Sequence, residues 1–211
     1  MNNMSLLRDY LKSQILKLKG KKVQEAKQKS EILIQHFFSI SKSELYFKDL
    51  TLSETDITNL NNLFLELHQN KPIQHIVGET YFYNSKFLTP PGVFIPRPET
   101  ELLVDCAIGF LSKKKQPLKI VDFCTGSGCI LLSIAKQFPN HEYVGIDQSE
   151  LAIKTAKKNK DLLALKNVEF FHEDIFQYNK PKADLLLCNP PYLAAQEIDT
   201  LEDSVKKNDP L

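Results

Sequence analysis

Between residues 118 and 188 short apolar runs alternate with segments of helical period, and few architectures accept that pattern. Runs at 118–123, 143–146, 168–171 and 183–188 read as strands, the last as a strand buried along its length. Helices are expected at about 128–138 and 149–163. Strands joined by helical crossovers of this length pair in parallel with right-handed connections, so the expected core is a doubly wound α/β sheet.

The segment before this core has a different texture. Leu6, Leu7, Leu11, Ile15 and Leu18 recur at three- and four-residue spacing, and a second such set holds Ile32, Leu33, Phe37 and Phe38. Gly20 separates the two, and Ser53 with Asp56 starts a third helix whose apolar face carries Ile57, Leu60, Phe64 and Leu67. A small helical bundle over residues 1–72 is the expectation. ETYFYNSKFLTP then reads as a hairpin centred on Asn84-Ser85. Pro90, Pro91, Pro96 and Pro98 stiffen the chain beyond the hairpin, so 73–97 is read as a linker. A helix begins near Pro98 with Glu99, Thr100 and Glu101 in its first turn, opening the domain 98–211.

Composition narrows the function classes. With 42% hydrophobic and 25% charged residues, and no long apolar run, the chain reads as a globular protein without a membrane span. MNNMSLLRDYLKSQ carries charges where a secretory signal needs an apolar core, so the expected compartment is the cytoplasm. A net charge of +1 leaves no global footprint for nucleic acid, and no direct nucleic-acid binding is expected. Cys106, Cys124, Cys129 and Cys188 form no CxxC pair, and the five histidines form no HExxH. Reduced cysteines and no metal are the expectation.

In IVDFCTGSGCILLSIAK, Gly126 and Gly128 stand at the turn between the first core strand and its helix, where a ligand can approach the backbone closely. The third glycine of a dinucleotide fingerprint is absent, with Leu131 in its place, which disfavours NAD or FAD. Asp147 ends the second strand about 20 residues on, where a carboxylate accepts hydrogen bonds from ribose hydroxyls. Its alternative reading is an acid at the start of the next helix, beside Ser149. Asp122 suits a cationic ligand, and S-adenosylmethionine, with its ammonium and sulfonium, fits both carboxylates. Asp174 in HEDIF could reach the adenine, with Ile175 as an apolar contact to the ring.

LLLCNPPY, residues 185–192, lies at the carboxyl end of a strand, where open α/β sheets bind ligands. An amide nitrogen is a poor nucleophile because its lone pair is delocalised, so it must be held in line with the methyl group. The Asn189 side-chain oxygen and the Pro190 carbonyl suit that task by accepting from a substrate NH2, Pro190 and Pro191 keep the loop rigid, and Tyr192 can stack on the planar amide. The residues leave open whether a general base is used.

These motifs resemble those of the PrmC (HemK) family of release-factor glutamine N5-methyltransferases, over nearly the whole chain. KPIQHIVGETYFYNSKF resembles the family's interdomain hairpin, VFIPRPETE (93–101) its PRPxTE segment, and NPPY its catalytic loop. Asp122, Gly126, Gly128, Asp147 and Asn189 match the family's cofactor positions, and Cys124, Thr125 and Ser127 complete the turn, with Phe123-Cys124 in place of the commoner Leu-Gly. The resemblance implies a Rossmann-like methyltransferase domain that uses S-adenosylmethionine. It further implies methylation of the GGQ glutamine of class I peptide chain release factors, with the N-terminal helices docking the factor. Arg97 reads as a surface ion-pair partner, and the sequence alone gives it no role. The family's domain normally continues through three more strands, so a C-terminally truncated domain is expected, its fourth strand an unpaired edge. The rivals are an N6-adenine or N2-guanine nucleic-acid methyltransferase, since NPPY loops also serve those amines, and a non-catalytic remnant.

Overall fold

The structure is a computed structural model and describes residues 5–178 and 182–190. It divides into two compact units, residues 1–77 and 78–211.

In the first unit, β1 (Ser5–Leu6) leads into α1 (Leu7–Gly20), followed by α2 (Ala26–Phe38), α3 (Lys42–Phe47), β2 (Thr51–Leu52), α4 (Glu54–His68) and α5 (Ile73–Val77). Leu7, Tyr10, Leu11, Gln14 and Leu18 form the buried stripe of α1, at the spacing that brings successive turns to one face. With Leu33, Ile34, Leu60, Phe64 and Leu67 the apolar members of this stripe make one core. Gln14 is buried, and its Nε2 donates to Asn61 Oδ1 (3.1 Å), which also accepts from the Tyr10 hydroxyl (2.9 Å). Ser53 caps α4 as its spacing to Asp56 predicts: Ser53 Oγ accepts from the Asp56 N–H (3.1 Å) and Asp56 Oδ2 from the Ser53 N–H (2.9 Å). Ser41 and Glu44 repeat this arrangement and start α3, a helix that the sequence pattern does not separate from its neighbours. The β1–β2 pair was also not expected, because two-residue strands are too short to display an alternating pattern.

The second unit opens with β3 (Glu79–Phe82) and β4 (Ser85–Leu88), an antiparallel pair in which Phe82 faces Ser85. Its turn is centred on Tyr83-Asn84, one residue earlier than expected. Both residues are left-handed (φ 45° and 57°), as a two-residue turn matched to strand twist requires. This register turns Phe82 and Phe87 into the core of the unit, so the hairpin packs within it. Val93 and Ile95, from the Pro-rich stretch, are buried as well.

A 3₁₀ turn (Pro98–Thr100) precedes α6 (Glu101–Leu111), and the sheet begins beyond it. Its elements are β5 (Lys119–Phe123), α7 (Cys129–Gln137), β6 (Glu142–Asp147), α8 (Glu150–Leu162), β7 (Val168–His172) and β8 (Leu185–Cys188). The strands are parallel in the order β7-β6-β5-β8, the α/β architecture that the alternation demands. Among the described residues β8 is an outer strand paired to β5 alone. The expectation that residues 183–188 are buried throughout needs correction: Leu187 is buried, but Leu186 is 53% exposed and Cys188 is exposed. Among the described residues β8 has a strand on one side alone, and its buried side chain, Leu187, is the one that joins the core.

Candidate active site

The candidate residues converge at the carboxyl ends of the parallel strands. Beyond β5 the chain turns sharply through Cys124 (φ +56°), Gly126 (φ +56°) and Gly128 (φ +78°) before entering α7. The two glycines serve different ends. A Cβ at Gly128 would lie 2.9 Å from Phe170 Cζ and 3.2 Å from Ala156 Cβ, so this glycine lets α7 and α8 close on the sheet. A Cβ at Gly126 would meet nothing within 4 Å, so that stretch of backbone faces open space. Leu131 is fully buried in the core, away from the turn's open side. Cys124 adopts at some cost the left-handed conformation that glycine adopts freely, and burial pushes its thiol up to about 11.

Three bonds fasten this turn to the sheet. The Thr125 N–H donates to the Ile146 carbonyl (3.0 Å), and the Thr125 hydroxyl donates to Asp122 Oδ2 (2.6 Å). Asp147 Oδ2 accepts from the Gly126 N–H (2.8 Å), while its Oδ1 accepts from the Ser149 N–H (2.8 Å). Ser149 caps α8 through Ala152. Asp147 thus starts the helix entry, as one of its two sequence readings expects, and also holds the glycine turn, while each oxygen keeps a lone pair for a further donor. Asp174 begins the turn after β7, accepting from the Phe176 N–H (3.0 Å), and Ile175 packs on Val121, Val144 and Ile146. The Glu173 N–H donates to the Asp147 carbonyl (3.1 Å), which draws this loop to the end of β6.

Asp122 is fully buried, and its Oδ1 has no hydrogen-bond partner among the described residues. Burial pushes its carboxyl up to about 7, the Thr125 hydroxyl acts in the opposite sense, and the Asp147 charge adds to the rise. Because the folded value exceeds the ordinary 3.8, the stability tied to this proton is full below 3.8 and is lost as pH rises through about 7. Thermal melting should therefore show a midpoint that declines over that interval, and Asp122→Asn should flatten the decline. An unchanged slope in the variant would remove Asp122 as its source.

Asn189 enters through strand register. Phe123 pairs with Cys188, so Asn189 emerges beside Cys124. Asn189 is half-buried and Pro190 exposed. Pro191 and Tyr192 lie outside the described residues.

Sequence reasoning missed Asn159. This residue of α8 is fully buried, and its Oδ1 accepts from the Leu88 N–H (2.7 Å). Its Nδ2 donates to the Leu88 carbonyl (3.2 Å) and to the Ser127 carbonyl (2.9 Å), joining the hairpin's end to the glycine turn. The available signal was its place on the face of Ala152, Ile153, Thr155 and Ala156, a polar residue in an inward stripe. Among the described residues no group of three or more His, Cys, Asp or Glu could hold a metal ion, and no helix is long and apolar enough to cross a membrane.

The parallel sheet thus carries a glycine turn after its first strand and an acid ending the second, and the sequence Asn-Pro-Pro follows the fourth. A family model described as the methyltransferase small domain matches residues 84–207, and one described as the PrmC N-terminal domain matches residues 9–78. The release factor glutamine methyltransferase of Thermodesulfovibrio yellowstonii is 39% identical over 186 residues, covering 85% of this chain and 65% of that protein. That of Buchnera aphidicola subsp. Schizaphis graminum is 32% identical over 197 residues, covering 93% of this chain and 70% of its own length. The chain belongs to the release factor glutamine methyltransferase family. It spans 52–65% of the length of the first three such relatives. Among solved structures, a T. thermophilus 16S rRNA N2 G1207 methyltransferase aligns with TM-score 0.47 and 22% identity, over 56% of this chain and 33% of that one.

Proposed function

We propose that the chain methylates the side-chain N5 of the GGQ glutamine of class I peptide chain release factors, with S-adenosylmethionine as donor. The observation that carries this reading is the β5–β8 register, which sets Asn189 beside the glycine turn. The residues present fit the donor. The open backbone at Gly126 admits a ligand, Asp147 keeps acceptor capacity for ribose hydroxyls, and Asp174 with Ile175, in the loop drawn to the end of β6, would meet the adenine. Cys124, Thr125, Ser127 and Gly128 shape the turn, and Asp122 braces it from below through Thr125.

When bound, the donor supplies an electrophilic methyl group. The chain's own work is orientation. Asn189 Oδ1 and the Pro190 carbonyl accept the two N–H groups of the substrate amide and fix its nitrogen at the angle for in-line displacement. Acceptors placed there favour the positive charge that develops on nitrogen as the methyl transfers. Pro190 and Pro191 have no N–H to compete for those acceptors, and Tyr192 stacks on the amide plane. The proton leaves to solvent afterwards, and no covalent intermediate on the protein is involved.

The N-terminal helices dock the release factor, and the reaction belongs to the cytoplasm, without direct nucleic-acid binding. Labelled donor incubated separately with purified release factor, DNA and rRNA tests this reading: label should enter the protein, and label in nucleic acid alone would overturn it. Asp147→Ala should weaken donor binding about 10- to 100-fold by calorimetry, as expected when hydrogen bonds to a charged acceptor are lost. An unchanged affinity would remove Asp147 from the donor site.

A further inference from the structure

Thr100, within the PRPETE segment, touches the catalytic loop. Asn189 Nδ2 donates to Thr100 Oγ1 at 3.5 Å, across 89 residues of sequence. At that length the contact is loose, as catalytic contacts often are before a substrate arrives.

Thr100 itself is firmly held. It closes the 3₁₀ turn Pro98–Thr100, whose start is stiffened by the Pro98 ring, and its N–H donates to the Arg97 carbonyl (3.0 Å). The next residue, Glu101, accepts through Oε1 from the Tyr83 N–H (2.8 Å) in the hairpin turn. Before it, the Arg97 guanidinium lies 5.4 Å from the centre of the Phe94 ring. The hydroxyl therefore sits on a braced element, whereas Asn189 has a side chain with two rotatable bonds and follows β8, which among the described residues pairs with β5 alone.

We propose that Thr100 is the positioning residue for Asn189. By engaging Nδ2 it restrains the carboxamide plane and leaves Oδ1 as the acceptor that faces the substrate amide. Restraint from a rigid neighbour reduces the freedom Asn189 loses when it aligns the nucleophile, so its effect falls on turnover rather than on donor binding. This role for Thr100 rests on the amide-methylation reading.

The test compares the full wild-type chain with Thr100→Val, which keeps the shape and removes the hydroxyl, and Thr100→Ser, which restores it. Thr100→Val should lower kcat for release-factor methylation about tenfold, the upper end of what one neutral hydrogen bond contributes. Its donor affinity and melting midpoint should stay at wild-type values, and Thr100→Ser should recover most of the rate. In parallel, the Asn189 side-chain NH2 signal of protein labelled with nitrogen-15 asparagine should exchange with water faster in Thr100→Val. Wild-type kcat in Thr100→Val, an equal loss in Thr100→Ser, or unaltered exchange would each overturn the proposal. A wild-type chain that transfers no methyl to the factor would instead overturn the function reading, and the exchange measurement alone would then decide the Thr100 contact.

Discussion

Asn189→Ala should lower kcat about 10²- to 10³-fold, the range seen when one preorganised polar group aimed at developing charge is removed. Donor affinity should remain close to wild type. The separation comes from placement: the turn of Cys124 to Gly128 and Asp147 are tied to one another by bonds that do not pass through Asn189. Asn189 follows β8, the strand on the other side of β5, and its proposed partners are the hydrogens of the substrate amide. Those contacts tighten as the nitrogen gives up its lone pair, so their loss appears in turnover. Calorimetry beside single-turnover kinetics distinguishes the roles. A large loss of donor affinity in Asn189→Ala with none in Asp147→Ala would reverse the assignment.

The second large effect should come from a residue outside the proposed chemistry. Asn159→Leu should destabilise the chain by about 3–5 kcal/mol, because the Leu88 N–H, the Leu88 carbonyl and the Ser127 carbonyl would all lose their partner. Leucine keeps the same branched skeleton but carries bulkier methyl groups, so crowding adds to the polar loss. Against a typical total of about 5–15 kcal/mol the change is severe. Urea denaturation should show a much lower midpoint, and donor affinity should fall too because Ser127 belongs to the glycine turn. Asn159→Asp is an informative companion. Its carboxylate can still accept from the Leu88 N–H but presents oxygen to two carbonyls, so it should also be destabilised. Wild-type midpoints in both variants would show that these bonds contribute little.

The strands and helices of the second unit were legible because each is built from a run with a clear period: IVDF for β5, the Leu131 to Ala135 stretch for α7, and the Ala152, Ile153, Ala156 face for α8. The glycine turn, Asp147 and Asn189 were legible for a different reason. Residue types that suit a ligand stand at strand ends, and in a parallel sheet those ends must converge. Sequence could not give the lateral relations. The central texture of LLLC is that of a strand covered on both faces, yet the exposure of Leu186 depends on which elements flank β8. The hairpin's centre depended on whether Phe82 and Phe87 face inward, a matter of core packing that the Asn84-Ser85 pair does not record. Thr100 and Asn159 act across 89 and 71 residues, and no local pattern encodes such a distance.

If Asn189 presents the side-chain nitrogen of a protein glutamine to the methyl donor, the product itself carries the proof. The chain should be incubated with S-adenosylmethionine and a purified class I release factor, and the added methyl located by peptide mass spectrometry. One methyl is expected on the side chain of the GGQ glutamine, and none on a factor whose glutamine is replaced by alanine. A methyl found on any other residue, or retained in the alanine factor, would contradict that role for Asn189.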